Sequence, residues 1–122
     1  LMIRTHKWSD KWGIPGGKIQ RGEPSIKALH REVMEETALV IDDVLFVLAQ
    51  DCIDSPEFIR PEHFILLNYM ARAVSYDVQL NNEAEEFLWL KPGEALDLDL
   101  NQPTRKLLID AIDRGLIPNA TD

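Results

Sequence analysis

The alternation of hydrophobic and polar positions changes period several times along the chain, and each change marks an element. Leu1 to Arg4 is apolar and reads as the end of a strand, and Thr5 to Lys11 follows as a polar loop. Trp12 to Pro15 is a short extended segment, because the residue before Pro15 is pushed toward β or polyproline geometry. Gly16 and Gly17 then form a flexible hinge. From Pro24 to about Thr37, Ile26, Leu29 and Val33 recur at spacings of three and four, which predicts a helix with one apolar stripe and Pro24 at its first position. Val44 to Cys52 and Phe64 to Val74 are rich in β-branched, aromatic and aliphatic residues and read as strands, the first buried on both faces. Phe87 to Leu90 is a further short strand, closed by a Lys91-Pro92-Gly93 turn. A last helix is predicted over Pro103 to Arg114, with Leu107, Leu108, Ala111 and Ile112 inward and Gly115 ending it. Strand, helix, several strands, helix predicts an α/β or α+β fold, a mixed β-sheet between helices.

Composition narrows this picture. A chain of 122 residues, 45% of them hydrophobic, suits one domain over 1–122 with a single core, and no repeat or linker divides it. The lone cysteine, Cys52, lies in an apolar stretch and reads as a buried thiol in a reducing compartment. No apolar run approaches the roughly 18 residues of a membrane span, and no signal pattern opens the chain, so a cytoplasmic protein without membrane contact is expected. Twenty-one acidic against thirteen basic residues give a net charge of −8, which argues against nucleic acid as a partner. A polyphosphate substrate would meet the same repulsion. Clustered carboxylates that hold a divalent cation are the usual remedy.

Such a cluster is present. Glu32, Glu35 and Glu36 stand at i, i+3 and i+4 of the first helix, on one side of about one turn. Like charges at this spacing repel by a few tenths of a kcal/mol per pair. They also lie near the C-terminal end of the helix, where the macrodipole disfavours negative charge. Oxygen ligands at this density suit Mg²⁺ or Mn²⁺ rather than zinc, and no pair of His or Cys offers a softer site. His6, His30 and His63 are dispersed and form no motif. Arg31, four residues before Glu35, can pair with it. Taken alone, the run also fits a solvated acidic face, the commoner meaning of a charge run. The residues upstream decide between the two.

Read from Gly17, the segment GKIQRGEPSIKALHREVMEETAL resembles the Nudix box: Gly, five residues, Glu, seven residues, Arg-Glu, an aliphatic, any residue, Glu-Glu, any residue, Gly, an aliphatic. Gly17, Glu23, Arg31, Glu32, Val33, Glu35, Glu36 and Leu39 fill eight of its nine positions, and Ala38 replaces the last glycine. If Ala38 is left-handed, it costs on the order of 1 kcal/mol relative to Gly. The preceding Trp12-Gly13-Ile14-Pro15-Gly16 resembles the usual lead-in. The resemblance implies a loop-helix-loop metal platform on a mixed sheet flanked by helices. Glu35 and Glu36 would bind metal with the Gly16 carbonyl, Glu32 would be a ligand or the base that orients water, Arg31 a salt-bridge partner, and Glu23 a support for the loop.

The later segment LNNEAEEFLWLKPGEALDLDLNQPTRKLL resembles the ending of bacterial Nudix deoxynucleoside triphosphatases that prefer pyrimidines. By that resemblance Glu83 is a further ligand or base, with Glu85 and Glu86 behind it; otherwise it reads as a solvated loop carboxylate. The catalytic set so implied is Glu32, Arg31, Glu35 and Glu83, with Mg²⁺ or Mn²⁺ on Gly16, Glu32, Glu35 and Glu36. Arg4 and Lys18 are candidates for substrate phosphates. Trp89 and Phe64 read as core, and Trp12 is the aromatic considered for the border of a base pocket. Relatives usually carry a strand before the segment resembling Leu1 to Arg4, so a first N-terminal strand is expected to be missing. The expected activity is metal-dependent hydrolysis of a phosphoanhydride bond in a nucleoside diphosphate derivative, foremost a nucleoside triphosphate. ADP-ribose or another nucleotide sugar is the alternative substrate, and a non-catalytic nucleotide-binding module the lesser reading. The expected partner is a small nucleotide, with a homodimer as an option.

Overall fold

The computed structural model describes residues 1–118. Strand β1 (Met2–Thr5) runs into a 3-10 turn (His6–Trp8) and returns as β2 (Lys11–Gly13). Helix α1 spans Ser25–Thr37, and a long hairpin follows, β3 (Ile41–Ile53) and β4 (His63–Ala73). Strand β5 (Ala84–Leu88), a one-turn helix α2 (Pro92–Ala95) and helix α3 (Gln102–Asp113) complete the described chain. None of these helices is long and apolar enough to cross a membrane.

The α+β class holds, but the single mixed sheet divides in two. Strand β1 is flanked by β2 on one edge and β5 on the other, both antiparallel, and β3 pairs only with β4. With both edges of β1 occupied, no place remains on it for a parallel neighbour. The parallel pairing seen among the described residues is one bridge, Trp12 to Leu100.

The predicted elements recur with shifted ends. Helix α1 begins one residue later than expected: Pro24 is its extended N-cap residue (φ −61°, ψ 145°), and its carbonyl accepts from the Ala28 amide. The inward stripe is turned from Ile26, which is exposed, to Ala28, Leu29 and Val33. Helix α3 starts at Gln102, with the Asn101 side chain accepting from the Thr104 amide at 3.0 Å. The Lys91-Pro92-Gly93 turn is the entry to α2, where Glu94 accepts from the Lys91 amide.

Strand β3 corrects its expectation of burial on both faces. Val47, Gln50 and Cys52 are buried, whereas Leu45, Phe46 and Ile53 are exposed. Among the described residues nothing covers these three side chains fully. Two register shifts, between Asp42 and Leu45 and between Phe46 and Leu48, break the alternation along the strand. Cys52 is a buried free thiol, as its apolar surroundings suggested. Two apolar groups join α3 to the sheets: Leu108 meets Met2, Ala95 and Leu100, and Leu107 and Ala111 meet Val47. Trp12, Ile14 and Leu90 pack against the first of these.

Candidate functional site

The site is built on the C-terminal half of α1 and on the loops beside it. At the centre of the loop-helix junction stands Arg31. Its Nε and Nη2 donate to Glu23 at 2.7 and 2.9 Å, Nη1 donates to Glu32 at 2.7 Å and to Glu35 at 3.2 Å, and Nη2 also reaches the Lys18 carbonyl at 3.0 Å. One guanidinium thus ties residues 18–23 to the helix, as its planar fork permits. The Arg31 guanidinium, with the Gln20 amide, holds the Glu23 carboxyl down at about 2. The same pairs raise Arg31 further above its already high value. The expected Arg31–Glu35 pair is present, but the shorter bonds go to Glu23 and Glu32.

Gly17 has a steric reason. A Cβ there would overlap the Glu32 carboxylate, so any larger residue would push that side chain from its place beside Arg31.

Helical periodicity put Glu32, Glu35 and Glu36 on one side, and folding separates them. Glu36 is 1% exposed. Glu35 turns outward, its side chain 56% exposed. The third member of the cluster comes instead from the loop before β5: one carboxylate oxygen each from Glu32, Glu36 and Glu83 lie within 4.8 Å of one another. Two backbone bonds bring Glu83 there. The Gln79 amide donates to the Thr37 carbonyl at 2.9 Å and the Asn81 amide to the Glu36 carbonyl at 3.2 Å, while the Asn81 side chain accepts from the Glu83 amide at 2.9 Å. Carbonyls left over at the end of α1 anchor the loop.

Burial pushes the Glu36 carboxyl up to about 7; Lys7 nearby opposes this, Glu83 adds to it, a bond from the Gly16 backbone opposes it and Glu32 adds to it. Its Oε2 is buried without a hydrogen-bond partner. A buried acceptor left unpaired costs roughly 1–3 kcal/mol, and more if charged. An oxygen-seeking divalent cation among three carboxylates would remove that cost, so the donor set fits such an ion.

The remaining predicted residues are placed as follows. Gly16 is at the site through its bond to Glu36. Lys18 is exposed, its carbonyl on Arg31 and its charge felt by Glu62. Arg4 is committed to Glu85 and Glu86, each at 2.7 Å. Trp12 packs against the core, whereas Phe64 and Trp89, expected there, are half-buried and exposed respectively and meet other aromatics edge-to-face. Lys7 is the residue sequence reasoning missed. It sits in a polar stretch with no motif around it, and only the fold brings it toward Glu36.

An α+β chain with carboxylates presented by a helix and an adjoining loop, and a lysine beside them, has the architecture of a cation-assisted phosphate enzyme. The NUDIX domain model matches residues 1–111, and the chain belongs to the Nudix hydrolase family. Its relatives include the nucleoside triphosphatase NudI of Escherichia coli strains ED1a and K12, each 31% identical over 104 residues, or 80% of this chain and 74% of the relative. The crystal structure of a MutT NUDIX hydrolase from Burkholderia pseudomallei matches with a TM-score of 0.75 at 28% identity, covering 89% of this chain and 84% of that one. A structure from Chromobacterium violaceum assigned to the nudix hydrolase family matches at 0.66 and 26%, covering 98% and 72%.

Proposed function

We propose that this Nudix hydrolase cleaves a phosphoanhydride bond of a nucleoside triphosphate with Mg²⁺ or Mn²⁺ held by Glu36, Glu32 and Glu83. The observation that carries the reading is the buried, unpaired oxygen of Glu36 beside two further carboxylates. The NudI relatives, described as nucleoside triphosphatases, support the choice of substrate. A divalent cation at this place would neutralise phosphate oxygens and lower the pKa of water.

The chain's own residues supply the rest. Arg31 fixes Oε1 of Glu32 and so aims the carboxylate. Glu83, the exposed member, is open to water and takes the proton of the attacking molecule. Lys7 offsets the charge of the cluster and attracts the polyphosphate. Gly17 and Glu23 keep the loop against the helix. Glu35, turned outward and paired with Arg31, helps to hold that arginine in place.

Phosphate and pyrophosphate release from a panel of nucleoside triphosphates and ADP-ribose tests this. Turnover of a triphosphate is expected with Mg²⁺ and none with EDTA, and Glu36→Gln should lower kcat by about 10²-fold or more. Activity persisting in excess EDTA would overturn the metal assignment. ADP-ribose turned over faster than every triphosphate would overturn the substrate.

A further inference from the structure

Of the three clustered carboxylates, Glu83 is the one that stands outside a helix. Glu32 and Glu36 belong to α1, whereas Glu83 lies in a turn whose next residue, Ala84, opens β5 and pairs with Thr5 of β1. The chain therefore passes from the end of α1 to the sheet within a few residues. The shape of that turn decides where the Glu83 side chain begins.

Asn81 touches both sides of the junction. Its backbone amide donates to the Glu36 carbonyl at 3.2 Å, and its Oδ1 accepts from the Glu83 amide at 2.9 Å. Asn81 thus links Glu36 to Glu83, with its main chain on one and its side chain on the other. A short side-chain carbonyl that folds onto the amide two residues ahead is the particular ability of Asn and Asp, and serine does the same more weakly. Glutamine is a methylene too long for it, and alanine has no acceptor.

The turn matters because the cluster opposes itself. Oxygens of Glu32, Glu36 and Glu83 lie within 4.8 Å of one another, so their charges repel when no cation stands between them. Glu83 is exposed, and it is the member that can swing into water. A ligand collected from solvent gives up loop and side-chain freedom when it binds, and that loss is subtracted from affinity. A backbone already turned toward Glu36 makes the loss smaller.

We infer that Asn81 is the positioning residue of the carboxylate cluster: its side chain sets the backbone of Glu83 so that this carboxylate meets those of Glu32 and Glu36. For its consequence in metal affinity the inference rests on the cation reading above. The side chain acts through Glu83 and contributes no charge. Asn82, next in the chain and of the same type, is exposed and serves as the control.

Mn²⁺ binding to nucleotide-free protein, read from the paramagnetic resonance of the unbound ion, is the measurement. Asn81→Ala should raise the dissociation constant about fivefold, the worth of one neutral hydrogen bond, and Asn81→Gln should do the same. Asn81→Ser, whose hydroxyl accepts from the same amide, should bring it back to within about twofold of wild type. In a Glu83→Gln background Asn81→Ala should weaken binding no further, because the two side chains act as one unit. A merely structural asparagine would weaken the protein alike in both backgrounds. An unchanged dissociation constant in Asn81→Ala, an undiminished effect in the Glu83→Gln background, or an equal effect from Asn82→Ala overturns the inference. If wild type binds no Mn²⁺, the cation reading fails alone, and deuterium exchange at the Glu83 amide in EDTA decides the positioning. Exchange several-fold faster in Asn81→Ala than in wild type and Asn81→Ser supports it, and equal exchange in all three overturns it.

Discussion

Glu36 carries opposite consequences for function and for stability. Its carboxyl has a folded value of about 7 against an ordinary 4.5, set chiefly by burial. Below pH 4.5 both the folded and the unfolded chain hold the proton, and the residue contributes nothing. Between 4.5 and 7 the unfolded chain ionises first, so the metal-free protein loses stability as pH rises, by on the order of 3 kcal/mol once above 7. Glu36→Gln removes that slope. In EDTA at pH 8 the variant should melt above wild type, and at pH 4.5 the two should nearly coincide. Saturating Mg²⁺ should reverse the order, because the wild type gains the larger binding term. Thermal melts at both pH values check this. A metal-free variant that melts below wild type at pH 8 would show that the side chain has a structural partner. Glu23 runs the other way: held at about 2 by Arg31, it stabilises the fold above pH 4.5 and loses that contribution as pH falls toward 2. The sequence identified the carboxylates but not their fates. Successive residues turn about 100° around a helix, so Glu35 and Glu36 point well apart although both flank Glu32. Which of them meets the sheet depends on how the helix packs, and spacing carries no record of that.

At the scale of elements, the end of α1 is where local preference is most plainly overridden. Ala38 adopts φ 62° and ψ 16°, and its amide closes the helix on the Met34 carbonyl at 2.9 Å. Thr37 supports the turn by accepting from the Leu39 amide. A methyl group in this conformation is strained, so Ala38→Gly should stabilise the protein by about 1 kcal/mol and raise its melting temperature by roughly 4 °C or more. Turnover should stay at the wild-type level, since Ala38 offers the site no side chain. Calorimetry with a kinetic assay tests both halves, and an unchanged melting point would mean that glycine's freedom in the unfolded chain offsets the relief. The strained position was legible because a helix stop was due there. The helices were legible in general, since Pro103 and Gly115 punctuate α3 as expected, although its cap, Asn101, was not foreseen. Strand β3 was less so. Its apolar run suggested two covered faces, but composition cannot say whether a second layer arrives.

The whole molecule places its site at a junction that no single stretch of sequence describes. Glu32 and Glu36 come from α1, Glu83 from a loop some fifty residues later, Lys7 from the first turn. The α+β class could be read from the order of elements, whereas the division into two antiparallel sheets could not, because partner choice is a long-range property. Most of the bonds that deliver Glu83 are also silent in sequence: Gln79 and Asn81 reach the helix end through backbone amides, which every residue but proline possesses, and only the Asn81 side chain on the Glu83 amide depends on residue type. Those two amides make the site observable without any substrate. The loop from 74 to 83 is held to the helix end by few bonds, so it can open while the hairpin and α3 stay folded. In metal-free protein the Gln79 and Asn81 amides should exchange with deuterium far faster than those in the centre of β4. Added Mg²⁺, by drawing Glu83 against Glu36, should slow both by a factor that grows with metal concentration, leaving β4 unchanged. Exchange at these two positions that ignores Mg²⁺ would remove Glu83 from the cation site. Exchange slowed by Mg²⁺ would instead make the turn at the end of α1 a latch that the ion tightens, so that filling the site and ordering the loop are one event.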